Sequence, residues 1–402
     1  MNYLLIEPKF RAAKAPNIAL MKWARWCELN NYGYQYVRGK VKPDIKPDKM
    51  LMSCIFTFYS KQYENTINYY RKLFPDIPLE IGGVFPSLNP KWFTDRWSQV
   101  LNDGEREVSV YCGLHPALEN IPPKYNVEIK FEGKRLYDRD KIVLYSSRGC
   151  TNNCGYCAVP RLEGDMKSFK SIQHALDAGR NEIPDAKSIV LYDNNFTEHE
   201  YFDNIVDELV KFGLPIDIHG LHVESFTEHH AKSLAGLKWT GQGKSGTPYL
   251  RFSFDKLEYA QDIERAAKLT AKHKIKANFF CYMLYNFTDS PNDFWRRVVK
   301  IDEIVNSVGR SIYLYPQRYE PLNSLEEKSY IGPKWTDEML KGLKKLYSDR
   351  LHSFIPITPT GNTYRWIGYS RKGFLEKLIA LSKKKAKVEK FTGDIIYEIS
   401  YY

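Results

Sequence analysis

No apolar run in this 402-residue chain approaches the ~20 residues needed to cross a bilayer, so no membrane partner is expected. The start, Met1-Asn2-Tyr3-Leu4-Leu5-Ile6-Glu7-Pro8, lacks a basic region and a small-residue cleavage site, and does not read as a signal peptide. Cysteine is scarce and odd in number, seven in all. Cys27, Cys54, Cys112 and Cys281 are scattered, mostly among apolar residues, which argues against a disulfide framework and for a reducing, cytoplasmic setting. There is no internal repeat and no long low-complexity run. A G-x-x-x-x-G-K-[ST] phosphate loop is also absent. The nearest stretch, Gly241-Gln242-Gly243-Lys244-Ser245-Gly246, departs from that pattern and precedes a strand, so it reads as a flexible loop.

What is present reads as a globular chain of two to three domains, with 43% hydrophobic and 27% charged residues. The net charge of +11 leaves two readings open. It fits a nucleic-acid partner, or lysines that solvate helix faces; Lys383, Lys384, Lys385, Lys387 and Lys390 concentrate much of it near the end.

The most informative stretch is Ser147-Arg148-Gly149-Cys150-Thr151-Asn152-Asn153-Cys154-Gly155-Tyr156-Cys157. It follows an apolar run, Ile142-Val143-Leu144-Tyr145, and spaces three cysteines as C-x-x-x-C-x-x-C. Three thiolates from one short loop can hold three irons of a [4Fe-4S] cubane and leave the fourth open to a small molecule. Electron-transfer clusters mostly take four cysteines. A zinc site wants a fourth Cys or His nearby, and the next histidine is His174.

At this loop the sequence resembles the radical S-adenosylmethionine (SAM) superfamily, Tyr156 being the aromatic residue favoured before the third cysteine. The resemblance implies that Cys150, Cys154 and Cys157 bind the cluster and serve catalysis. The open iron would bind SAM, and an external electron donor would reduce the cluster. SAM would then be split to a 5′-deoxyadenosyl radical.

Residues 1–112 alternate strands and helices, as in a Rossmann-like doubly wound parallel sheet. Strands are expected at 3–6, 34–37 and 50–56, helices at 17–29 and 63–74, and a further strand ends at Gly82-Gly83. Ligands of such sheets bind beyond the carboxyl ends of the strands, where two glycines admit close approach. The region resembles the cobalamin-binding domain that precedes many radical SAM domains, on Leu4-Leu5-Ile6-Glu7-Pro8, Ile81-Gly82-Gly83-Val84-Phe85-Pro86 and Asp103-Gly104-Glu105-Arg106-Glu107. One motif is missing: no D-x-H-x-x-G supplies a histidine to cobalt, and His115 is the only histidine before residue 150. Two outcomes stay open, cobalamin held without a protein ligand to cobalt, or a domain that binds no corrinoid. Methylthiotransferases carry a second cluster on three cysteines of their first domain. Here Cys27 and Cys54 read instead as buried apolar groups.

Residues 113–140 read as an irregular linker with a turn at Glu132-Gly133-Lys134. Residues 141–325 hold six strand-helix units, with strands at 142–145, 188–192, 215–219, 250–254, 277–283 and 311–315. They form a partial (β/α)6 barrel, whose active groups belong at the strand carboxyl ends. Residues 326–402 form a small α+β extension, with helices at 337–350 and 372–385 and a strand at 394–400. Leu191-Tyr192-Asp193-Asn194-Asn195-Phe196 resembles the subfamily's Asp-Asp-Asn-Phe, which implies that Asp193 and Asn194 take the SAM amino group; a helix cap is the competing reading. Strand alternation sets His222 and Glu224 on one face, and Asp217 with His219 on the other. That His-Glu pair suits proton transfer, metal binding or a plain polar rim. On the fourth strand Arg251 suits the SAM carboxylate, and Ser253 or Asp255 the ribose; an Arg251–Asp255 ion pair is the alternative. The aromatics Phe279, Phe280, Tyr282, Tyr285, Tyr313, Tyr315 and Tyr319 are core or stacking surfaces.

The sequence therefore leads to a radical SAM enzyme with a cobalamin-type first domain and, with cobalamin bound, methyl transfer to an unactivated carbon. The alternatives are a cobalamin-free radical SAM enzyme acting on RNA or another substrate, and a non-catalytic iron–sulfur binding protein.

Overall fold

The computed structural model describes residues 1–9, 16–97, 107–133, 140–241, 246–348, 355–359, 363 and 367–383. The expected strand at 394–400, the core of the 241–246 loop, most of the lysine-rich end and Asp103 to Arg106 lie outside the described residues. The chain divides into two compact units. One is Met1–Asn194 with Leu322–Glu327, the other Asn195–Pro321 with the described residues from Lys328 on.

The first unit is built on six parallel strands: β1 (Asn2–Glu7), β2 (Gly33–Arg38), β3 (Lys49–Ser53), β4 (Leu79–Gly82), β5 (Val108–Val110) and β6 (Ile129–Phe131), in the order β5-β4-β3-β1-β2-β6. Leu4, Leu5 and Ile6 are consecutive and fully buried, the mark of a parallel strand covered on both faces. From β1 the chain moves one way to β2, and β3 pairs on the other side. The β1–β3 pair is thus a topological switch point, where such sheets bind ligands. The 113–140 stretch is more than a linker, since β6 joins the sheet beside β2. Helix α1 (Ile18–Leu29) buries Leu20, Met21, Ala24 and Cys27, residues that recur every three or four positions. Its N-cap is Asn17, whose Oδ1 accepts the Leu20 N–H at 3.1 Å. Helix α2 (Ser60–Leu73) buries Tyr63, Ile67 and Tyr70 into the core with Phe85, Trp92 and Phe93.

The same unit holds the first two strands of the barrel pattern, β7 (Lys141–Leu144) and, after the cluster loop, its parallel neighbour β10 (Ser188–Leu191). Between them, β8 (Ser147–Arg148) pairs antiparallel with β9 (Lys167–Ser168) and closes the loop at its base. Helix α6 (Gln173–Glu182) follows, and its Glu182 is ion-paired to Arg25 of α1.

The second unit continues with β11 (Ile216–Ile218), β12 (Tyr249–Ser253), β13 (Asn278–Tyr285) and β14 (Ile312–Arg318), so all six expected barrel strands are present. Helices α7 (Phe202–Phe212), α8 (Glu228–Leu234), α9 (Ala260–Lys272) and α10 (Pro291–Val308) alternate with them. Strands β12, β13 and β14 are parallel, and β15 (Ile355–Ile357) adds antiparallel to β14. Helices α11 (Asp337–Ser348) and α12 (Arg371–Lys383) fall near their expected places, while β15 is a strand not expected from the sequence. Phe279, Phe280 and Tyr285 are fully buried core, whereas Tyr282, Tyr313 and Tyr315 are half-buried.

Three expectations change in this unit. Arg251 is 1% exposed and ion-paired with Asp217 on the preceding strand, itself 1% exposed. A guanidinium committed in the core to Asp217 is not a free clamp for a SAM carboxylate. Asp255 accepts the Leu284 N–H at 2.8 Å. His222 and Glu224 lie beyond the three-residue strand β11, so strand alternation does not place them. They do approach each other, Nε2 to Oε2 at 3.5 Å, and Glu198 flanks the imidazole at 3.9 Å.

Candidate active site

The site begins with the backbone of the three-cysteine loop. Gly149 has φ +77°, and a Cβ there would overlap the Asp165 carbonyl, so only glycine turns the chain out of β8 into the loop. The Cys157 N–H donates to the Cys154 carbonyl at 3.0 Å, which folds the C-x-x-C half into a turn. Two backbone N–H groups point at sulfur: Asn152 to Cys150 Sγ and Val159 to Cys157 Sγ, each at 3.4 Å. Such donors favour a thiolate over a thiol. Against them, burial and the neighbouring Cys154 and Cys150 push the Cys157 thiol up to about 11. The three half-buried sulfurs are thus close enough to feel one another, and an electropositive cluster would be needed to hold them ionised. Among the described residues, no three His, Cys, Asp or Glu side chains converge as one bound metal ion would require. Three thiols on one loop with N–H···S support fit a cubane that spreads them over three irons.

Glu163 braces the loop. Its Oε1 accepts from Arg148 at 2.6 Å, and its Oε2 accepts from the Gly149 N–H at 2.7 Å and Asn194 Nδ2 at 2.9 Å. Asn194 also donates to the Gly149 carbonyl at 3.1 Å, so it touches the loop directly. Asp193 has a different employment from the one expected. It is 3% exposed, and its carboxylate accepts from the Ser146 N–H at 2.7 Å, from the Ser146 hydroxyl and from Ser147 Oγ at 2.9 Å. Both oxygens are engaged with the strand that enters the loop, and of the two residues it is Asn194 that touches the loop itself. Tyr156 sits half-buried within the loop, and Ser253 is half-buried at the end of β12.

Beside the loop, within the same compact unit, lies a cleft open to solvent. Its floor is the carboxyl ends of β3 and β4, with Ser53, Gly82 and Gly83. Gly83 has φ +108°, and a Cβ there would stand 2.5 Å from the Cys54 carbonyl oxygen. One wall is α1 with Asn17, Lys22 and Trp23; the other carries Tyr145, Arg148, Glu163, Tyr192 and Asn194 from the cluster side. The Arg148 guanidinium lies over the Tyr145 ring at 4.1 Å.

His115 also lines this cleft. Its ring meets Trp23 edge-on at 4.8 Å and Tyr111 at 4.5 Å. Its Nδ1 accepts the Ala117 N–H at 3.3 Å, so the neutral imidazole carries its proton on Nε2. Burial lowers its pKa from 6.5, which favours the neutral form. In this tautomer His115 offers a donor and not a metal-ligating lone pair. The sequence likewise lacks the D-x-H-x-x-G motif. Glu163, Lys22 and His115 carry no motif; the single hint was that His115 is the only histidine before residue 150.

Cys27 and Cys54 are fully buried, and burial pushes the Cys27 thiol up to about 12. Cys112 is exposed. The three do not form a second cluster set.

No family model matches the chain. A tRNA-2-methylthio-N(6)-dimethylallyladenosine synthase of Endomicrobium trichonymphae is 22% identical over 308 residues, 68% of this chain and 71% of that protein. Among solved structures, a cobalamin-dependent SAM radical enzyme, OxsB, with aqua-cobalamin and SAM bound, matches with a TM-score of 0.54 and 13% identity over 77% of this chain. The apo, selenomethionine-labelled form of OxsB matches with a TM-score of 0.53 and 12% identity over the same share. The chain spans about half the length of these solved chains, 52% in each case.

Proposed function

We propose that this chain, which belongs to the radical SAM superfamily, works as a radical SAM enzyme whose first domain holds a corrinoid and whose reaction methylates an unactivated carbon. The observation that carries the proposal is the juxtaposition of the braced three-cysteine loop with an open, glycine-floored cleft at the switch point of a parallel sheet. When bound, the cluster with SAM supplies a 5′-deoxyadenosyl radical, and a corrinoid supplies the methyl group. The residues do the rest. Cys150, Cys154 and Cys157 hold the cluster, with Glu163 fixing the turn on which they stand. Asn194 spends its N–H groups on Gly149 and Glu163 and keeps its carbonyl oxygen for the SAM ammonium. Gly82 and Gly83 leave room on the floor, and Trp23, Tyr145 and Tyr192 supply apolar wall surface. Reduction calls for an external one-electron donor.

A second reading is cobalamin-free modification of RNA, supported by the name of the 22%-identical relative and by the net charge of +11. Buried Cys27 and Cys54 speak against methylthio transfer on a second cluster. To separate the two, the protein is reconstituted anaerobically with iron, sulfide and hydroxocobalamin, then desalted. About one cobalt retained per chain, one corrinoid per cleft, supports the first reading. No retained cobalt with intact SAM cleavage supports the second.

A further inference from the structure

The cleft has one corner where donors gather without acceptors to match them. Lys22 Nζ donates to the carbonyls of Leu118 at 3.0 Å and Glu119 at 3.4 Å, which leaves one of its three protons. Arg148 gives one nitrogen to Glu163, while its buried Nε has no hydrogen-bond partner. His115 presents Nε2–H, because its Nδ1 is taken by Ala117. All three line the same cleft. The carboxylates around them are engaged: Glu163 accepts three hydrogen bonds, and Glu80 is paired with Lys49 at 2.9 Å. Glu119 acts on Lys22 only as a minor opposing charge. Burial and the neighbouring Arg148 lower the Lys22 pKa to about 8, the cost of two cations in one partly dry corner.

From this arrangement we infer that Lys22, Arg148 and His115 form a subsite for a carboxylate or phosphate group, carried on an apolar body that packs against Trp23 and Tyr145. The inference rests on the cleft being the ligand site, and it names the class of the substrate: an acid or a phosphate ester rather than a neutral molecule. An anion there takes the spare Lys22 proton, offsets the repulsion between the Lys22 and Arg148 charges and accepts from His115. The apolar walls supply the remaining contact area.

The test uses the full-length protein with its cluster reconstituted, and benzoate and phenyl phosphate as probes, with benzyl alcohol as the neutral control. Binding is read by calorimetry. At least one anion binds and the alcohol does not; which anion binds tighter tells carboxylate from phosphate. Lys22→Met weakens anion binding about 10- to 100-fold, the worth of a contact to a charged group. Lys22→Arg restores it. In the wild type affinity falls as pH rises through about 8, where Lys22 loses its proton; in Lys22→Arg it does not. That pH comparison stands even if Lys22→Met fails to fold. Absence of anion binding, equal binding of the alcohol, or an unchanged affinity in Lys22→Met overturns the inference. Cobalt retention on the same proteins reports the corrinoid reading separately, so loss of one does not imply loss of the other.

Discussion

Replacing Glu163 by glutamine tests whether the cluster loop is held by this one side chain. The carboxylate splits its work, Oε1 taking Arg148 at 2.6 Å and Oε2 taking Gly149 N–H and Asn194 Nδ2 at 2.7 and 2.9 Å. Glutamine keeps one oxygen and puts an NH₂ in place of the other. Whichever way the amide turns, one side meets donor against donor. Turned one way, Arg148 loses its acceptor while 17% exposed; turned the other, Gly149 and Asn194 lose theirs. Hydrogen bonds to a charged group contribute about 1.5–3 kcal/mol each, so a loss of about 2–3 kcal/mol in loop order is expected. That corresponds to about a 30- to 150-fold weaker hold on the cluster. The assay is iron release to a chelator from the reconstituted protein, with far-ultraviolet circular dichroism as the check on the fold. Glu163→Gln is expected to release iron at least about tenfold faster, with the sheet signal intact. Release at the wild-type rate would refute the bracing role.

The remaining predictions are briefer. Asp217→Asn strands the buried Arg251 guanidinium and should destabilise the second unit by about 3–5 kcal/mol, read by thermal or denaturant unfolding. Burial alone would raise the Asp217 carboxyl, but Arg251 and His219 outweigh it and hold it well below its ordinary 3.8. A depressed folded pKa contributes stability above about pH 4 that is lost as pH falls through the folded value, so Asp217→Asn should flatten the acid limb of the stability curve. Gly83→Ala forces a Cβ against the Cys54 carbonyl at a φ of +108°, and should cost about 1–3 kcal/mol and lower corrinoid retention on the desalting column. Cys154→Ala should drop bound iron and abolish SAM cleavage while leaving the circular dichroism unchanged.

The sheet strands were legible because parallel strands are written as short apolar runs. Leu4-Leu5-Ile6 and Ile142-Val143-Leu144 read as buried strands from their length, and the six barrel strands fall within three residues of their expected bounds at either end. The cluster loop was legible for a different reason, since cysteine spacing is itself the chemistry. Side-chain partners were not. Asp193 looked like a ligand to SAM because of where it stands in a motif. Its serine partners sit 46 and 47 residues away in sequence, and only the β7–β10 pairing brings them together. Arg251 read as a clamp for SAM, with an ion pair to Asp255 as the alternative, but the fold sets it against Asp217, 34 residues earlier. Glu163 had no signature at all, an acid fourteen residues beyond Gly149 in a loop whose closure no pattern announces. Lys22 and His115 were visible as residues but not as neighbours, because one belongs to a helix and the other to a turn that only the fold sets beside it.

The central claim is that the loop of Cys150, Cys154 and Cys157 supports reductive cleavage of SAM. The most direct measurement is 5′-deoxyadenosine released per chain from the anaerobically reconstituted protein on adding SAM and a one-electron reductant, with each cysteine-to-alanine variant run alongside. The account predicts product from the wild type and none from any of the three variants. No product from a wild type shown to hold four irons, or equal product from a variant, would contradict it.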